Sequence, residues 1–145
     1  MDDPHTTDAR TSCLFCKIAS GEISSEKVYE DAHTFAFLDI RPNNPGHTLV
    51  IPKAHAPNLY EISEESLSAT MAVVKKVAIA AKKAMGADGI NIAMNNDPAA
   101  GQVIFHAHVH VIPRFADDGY RHWPQKSYKE GEAAEVASKI RAHLI

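Results

Sequence analysis

The stretch Phe105-His106-Ala107-His108-Val109-His110-Val111-Ile112-Pro113 alternates imidazole with aliphatic side chains, and no other segment narrows the fold as much. Successive side chains of an extended strand point to opposite faces. His106, His108 and His110 therefore share one face, while Ala107, Val109 and Val111 face the other way and are available to a core. The strand is read as Val103–Ile112. Its pairing is expected to end at Pro113, which has no N–H to donate to a ladder.

The remaining segments supply the layers such a strand must pack with. Val28–Asp31 and Thr34–Leu38 read as strands, with a turn at Asp31-Ala-His33. A loop follows from Asp39 to Gly46, rich in Pro, Asn and Gly. His47–Ile51 is the next strand, stopped by Pro52, and Ile90–Met94 is another. One long helix opens at Ser63, a good N-cap, with Glu64 and Glu65 in the first turn where the helix dipole favours acids. Leu67, Met71, Val74, Ala78, Ala81 and Met85 recur at helical spacing and predict its buried face, and Gly86 is a natural terminator. A shorter helix over Glu132–Leu144 presents Val136, Ile140 and Leu144. Strands with one long and one late short helix predict an α+β domain around a mainly antiparallel sheet of about five strands.

At 145 residues the chain is expected to form one domain over 12–145, preceded by a disordered tail over 1–11. A net charge of −3 argues against a nucleic-acid binder, and no apolar run is long enough for a membrane span. The polar, acidic N-terminus does not read as a targeting segment, so a cytoplasmic location is expected. Thiols there stay reduced, which argues against a disulfide between Cys13 and Cys16.

Three readings compete for the histidine row. It could be a solvated sheet face, although strict alternation of three imidazoles is hard to obtain by chance. It could hold one metal ion, but positions i and i+4 of a strand lie about 13 Å apart, too far for bonds of about 2 Å. Or it could be catalytic. A neutral imidazole is a usable nucleophile when one ring nitrogen faces the substrate and the other is held as N–H by a fixed acceptor. A neighbouring imidazole can then donate to phosphate oxygens.

At this point the chain resembles the histidine triad (HIT) family, in its small Hint-like branch. The motif His106-Ala-His-Val-His-Val-Ile-Pro113 carries the likeness. Cys13–Ile18, Gly21-Glu-Ile23, Ala36–Ile40, Pro45–Lys53 with His55, Gly89-Ile-Asn91 and Gly101-Gln102 follow the branch in order, over roughly residues 12–115. The resemblance implies a dimeric HIT fold. It also implies that His108 attacks the α-phosphorus to form a nucleotidyl-histidine, that His110 binds the phosphate oxygens, and that His47 supports the active-site histidines. Asn95 and Gln102 match the phosphate pocket, and Gly101 and Val103 join them among the implied nucleotide-binding residues. Asp39 matches the acid that grips the ribose hydroxyls, and Phe15, Ile18 and Phe37 match the base pocket, though from the residues alone those three read as core. The implied ligands are purine nucleotides such as AMP and nucleoside phosphoramidates, in a homodimer without catalytic metal. Many relatives carry Ser or Thr where this chain has Val103, so no side-chain proton source for the leaving group is implied there.

The pair Cys13-x-x-Cys16 has metal-ligand spacing but is half a site by itself. Two inert thiols and a redox pair are the other readings. The resemblance completes a ligand set: bacterial relatives with this pair can bind structural zinc through both cysteines, the His of Pro-Lys-x-His and the first triad histidine, which are Cys13, Cys16, His55 and His106 here. Alternative functions are a nucleotide-binding module with little turnover, or a zinc-handling protein.

Overall fold

The computed structural model describes residues 10–145. The tail expected over 1–11 lies outside the described residues except for Arg10 and Thr11, and residues 10–12 are helical. A short helix α1 (Leu14–Ala19) comes next, then strands β1 (Lys27–Glu30), β2 (Thr34–Leu38) and β3 (Thr48–Pro52). The long helix α2 (Glu64–Met85), strands β4 (Gly89–Ala93) and β5 (Val109–Arg114), and helix α3 (Glu132–Ala142) complete the order. The five strands form one antiparallel sheet ordered β1-β2-β3-β5-β4, as the α+β reading predicted.

Each face of the sheet has its own cover. Ala36, Val50, Val109 and Val111 meet Val73, Val74 and Val77 of α2. On the opposite face Phe35, Phe37, Leu49 and Ile51 meet Phe15 and Ile18 of α1. The register Phe37↔Leu49 and Leu49↔His110 lines these three side chains up across β2, β3 and β5. Directly opposed residues share a face, so His110 stands beside the aromatic half of the core.

Helix α2 begins and ends where its caps predict. Ser63 accepts from the Ser66 N–H at 3.1 Å, and Gly86 closes the helix with φ 61°. Its buried stripe is rotated from the expected one. Thr70, Val73, Val74 and Val77 are buried, whereas Met71 and Met85 are exposed. The expected spacing followed the largest apolar side chains. The sheet instead takes the shorter, β-branched side chains and leaves the methionines exposed.

Two corrections concern β5. It begins at Val109, so residues 103–108 belong to no strand. The Ala107 N–H donates to the Ala56 carbonyl at 2.7 Å, which stitches this segment to the loop after β3. Pairing also continues past Pro113, to Gly89↔Arg114. The β3 ladder has already ended at Thr48↔Val111. On that side the Pro113 carbonyl accepts from Asn44 Nδ2 at 2.9 Å, so no ladder bond is lost to the missing N–H. The third correction is α3, which buries none of its side chains; Ile140 and Leu144 are exposed.

Candidate active site

A cavity of about 530 Å³ opens between α1 and the β2–β3–β5 row. Phe15, Ile18, Phe37, Leu49 and Ile104 give it an apolar wall, and Asp39, Asn95, Gly101, Val103, His108 and His110 also line it. Most of the residues singled out in the sequence thus converge on one space. Ile23, Ser24, Ser25, Leu38, Ile40 and Arg41 line it as well and were not anticipated. Leu49 could have been, because it is one position from Val50 and therefore faces away from the α2 side of the sheet.

One main-chain oxygen fixes the proton of His108. Its Nδ1 lies 2.7 Å from the His106 carbonyl, which can only accept. Nδ1 therefore carries the hydrogen, and the Nε2 lone pair is left free. The ring is buried (7% exposed), stands edge-on to Phe15 with centroids 5.1 Å apart, and its pKa is lowered by burial. Its neutral form consequently persists below the ordinary histidine range of about 6.5.

His110 receives its proton placement from a backbone donor two steps away. The Asn43 N–H donates to His47 Nδ1 at 3.1 Å, so a neutral His47 keeps its hydrogen on Nε2. That N–H points at His110 Nδ1, 2.9 Å away. His110 then carries its hydrogen on Nε2, as a donor. Burial, followed by the neighbouring His108 and His47 imidazoles, pushes the His110 pKa down to about 4. His47 therefore acts on His110 from the start of β3 and does not itself line the cavity.

Gln102 departs from expectation. Its side chain is buried (4% exposed) and its amide is fully engaged. Oε1 accepts from the Asp97 N–H at 2.9 Å, and Nε2 donates to the carbonyls of Pro57 at 2.6 Å and Ile104 at 3.1 Å. The amide braces the 97–102 loop, where Asp97 holds φ 73°, and has no donor left for phosphate. Gly101 (φ 94°) and Asn95 stay in the cavity wall.

On the other side of the His106 backbone, four side chains converge. Cys13 caps α1 by accepting from the Cys16 N–H, which places both thiols at the start of that helix. Cys13 Sγ lies 3.4 Å and Cys16 Sγ 3.5 Å from His106 Nδ1. His55 Nδ1 is 3.4 Å from Cys16 Sγ and 3.2 Å from His106 Nδ1. A tetrahedral ion with ordinary bond lengths has N···N edges of about 3.3 Å and N···S edges of about 3.6 Å. The donor set fits. The tautomer fits too, since His106 Nε2 donates to the Pro52 carbonyl at 2.7 Å and leaves Nδ1 as a lone pair. These four residues could hold a metal ion. Asp39, His47 and His110 form a second close cluster. There the proton on His47 Nε2 explains the short contact and takes away the ligand atom.

A family model described as HIT domain matches residues 20–117. The chain belongs to the HIT family. The HIT family protein from Bacillus subtilis has a crystal structure similar to this one, with a TM-score of 0.86 and 41% identity over 92% of this chain and 98% of that one. The adenosine 5′-monophosphoramidase of Schizosaccharomyces pombe is 40% identical over 90% of this chain and 99% of its own length. A zinc-bound histidine triad family protein from Mycobacterium smegmatis has a TM-score of 0.74 and 38% identity, covering 92% of this chain and 99% of that one. Among the described residues, no helix is long and apolar enough to cross a membrane.

Proposed function

We propose that this HIT protein hydrolyses purine nucleoside phosphoramidates, or related nucleotidyl substrates, through a covalent nucleotide on His108. The observation that carries the reading is the His108 Nδ1–H bond to the His106 carbonyl, 2.7 Å long, with Nε2 free in the cavity. The base lies among Phe15, Ile18 and Phe37, and the Asp39 carboxylate accepts from the ribose. The α-phosphate meets His110, Asn95 and the backbone at Gly101 and Val103.

In the first step His108 Nε2 bonds to phosphorus as the P–N bond breaks, and the amine leaves with a proton drawn from water, since the Val103 side chain has none to give. Positive charge then spreads over the His108 ring, where the His106 carbonyl already accepts from Nδ1–H. His110 Nε2–H donates to a phosphate oxygen that gains charge in the transition state. In the second step water attacks phosphorus, the Nε2–P bond breaks, one water proton is released and AMP departs. His110→Ala removes a positioned donor and should lower kcat by roughly 10²–10³-fold.

The Cys13, Cys16, His55 and His106 site is proposed to bind zinc, which would tie α1 to the sheet and take no part in the chemistry. Support comes from the tetrahedral edges of the donor set. A homodimer in the cytoplasm is part of the same reading; β4 is an edge strand and Ile92 on it is 44% exposed.

The test is hydrolysis of adenosine 5′-phosphoramidate followed by ³¹P NMR, with wild-type protein and His108→Ala. The wild type should yield AMP, and the variant should fold, bind AMP and release none. A variant that turns over at the wild-type rate refutes the nucleophile assignment.

A further inference from the structure

The loop that carries the orienting Asn43 N–H is secured from outside its own strands. Tyr120 Oη donates to the Asn43 carbonyl at 2.8 Å, and Asn44 Nδ2 donates to Asp118 Oδ2 at 3.1 Å. Asp118 is the hub of the turn after β5. Its side chain is 6% exposed, it accepts from Arg114 Nε at 2.7 Å and Nη2 at 3.0 Å, and it also accepts from the backbone N–H of Phe115 and Tyr120. Arg114 continues the chain of bonds by donating to the Tyr120 carbonyl at 3.1 Å and to Asn91 Oδ1 at 2.6 Å. The Arg114 guanidinium holds the Asp118 carboxyl well below the usual carboxylate range, so the hub stays ionised. Neither Asn44, Asp118 nor Tyr120 lines the cavity.

We propose that the Arg114–Tyr120 turn is a positioning device: by holding Asn43 and Asn44 it selects which nitrogen of His47, and in turn of His110, carries the proton presented to phosphate. The inference rests on the reading of His110 as a phosphate donor. Its logic is a choice between two hydrogen-bonded arrangements of one imidazole pair. With the Asn43 N–H on His47 Nδ1, the shared proton belongs to His47 and His110 turns Nε2–H outward. With that N–H withdrawn, His47 can carry its hydrogen on Nδ1, the shared proton moves to His110 Nδ1, and a lone pair faces the phosphate oxygens. Both arrangements keep one N–H···N bond. The backbone donor at residue 43 decides between them, and Tyr120 and Asp118 hold that donor in place.

The test compares wild type with Tyr120→Phe, which removes the single bond to the Asn43 carbonyl, and Asn44→Ala, which removes the bonds to Asp118 and to the Pro113 carbonyl. Tyr120 is about half exposed, so its hydroxyl can be removed without opening the core. The first readout is the ¹⁵N spectrum of histidine-labelled protein without substrate, which distinguishes protonated from bare ring nitrogens. In wild type His47 and His110 should both show bare Nδ1 and protonated Nε2. In the variants part of the His110 population should move to protonated Nδ1. The second readout is steady-state hydrolysis of adenosine 5′-phosphoramidate, where kcat should fall up to about tenfold with KM within about twofold, the scale of one lost hydrogen bond. Unmoved ring resonances in both variants overturn the proposal even when kcat falls. A changed tautomer with unchanged kcat overturns it as well. His110→Ala serves as the separate check: if that variant retains full activity, the donor role of His110 fails, while the ¹⁵N result still reports what the turn does.

Discussion

Loss of the zinc proposed for the Cys13, Cys16, His55 and His106 site should release α1 and open the proposed base pocket. The helix has six residues, and Phe15 and Ile18 are the side chains it buries. Their burial contributes roughly 3–6 kcal/mol together. Fixing six backbone residues costs roughly 6–12 kcal/mol, and a helix of this length has no stability of its own in water. The shortfall spans about 0–9 kcal/mol and centres near 4–5 kcal/mol, within what a four-ligand zinc site supplies, roughly 10–16 kcal/mol. A shortfall of about 3 kcal/mol leaves α1 docked in roughly one molecule in a hundred, so AMP should bind about 100-fold more weakly without metal. Cys16→Ser protein dialysed against chelator is the perturbation. Hydrogen exchange at the amides of residues 14–19 and calorimetric titration with AMP are the assays. Full protection of those amides, with AMP affinity within about threefold of the metal-loaded wild type, would refute this reasoning.

Three further outcomes are expected. Gln102→Ala strands the Asp97 N–H and two carbonyls, so it should cost about 2–4 kcal/mol in urea unfolding; unchanged stability with weakened AMP binding would return Gln102 to the phosphate. Gly46 has φ 91°, and a Cβ there would sit 2.7 Å from Met85 Cγ and 3.1 Å from Pro113 Cγ. Gly46→Ala should therefore cost about 2–4 kcal/mol by the same assay, and a loss under about 1 kcal/mol would mean that the loop relaxes freely. The pH dependence follows from His110, whose folded pKa of about 4 lies below the ordinary 6.5. The unfolded chain takes up the proton first on acidification, so His110 costs the fold stability between pH 6.5 and about 4 and nothing above. His110→Gln should flatten that part of the Tm profile, and identical profiles would contradict the buried, neutral assignment.

Features governed by local chemistry were legible in the sequence. Ser63 and Gly86 bound the long helix because caps depend on a few adjacent residues. The Asp31-Ala-His33 turn forms because Asp31 Oδ1 accepts from the N–H groups of His33 and Thr34. Features set by competition at a distance were not. Alternation identified the faces of Val109, His110 and Val111 correctly, yet it could not show that the Ala107 N–H would bond Ala56 in place of a strand partner. Spacing pointed to Met71 and Met85, but only the shape of the facing sheet selects Val73 and Val77. Gln102 belonged to a family motif, and its brace on Asp97, Pro57 and Ile104 becomes apparent once those distant groups meet. The Arg114–Asp118 pair had a readable spacing of four residues. Its use as a tie for Asn44 and Tyr120 had no sequence signal.

The imidazoles at 106 and 108 take their orientation from the carbonyl oxygens of Pro52 and His106. Every amino acid brings that same oxygen, so drift at position 52 leaves the first acceptor chemically intact. What can disturb either ring is displacement of the chain itself. An inserted or deleted residue between 52 and 108 should therefore be far more damaging to the chemistry than most single replacements in the same span.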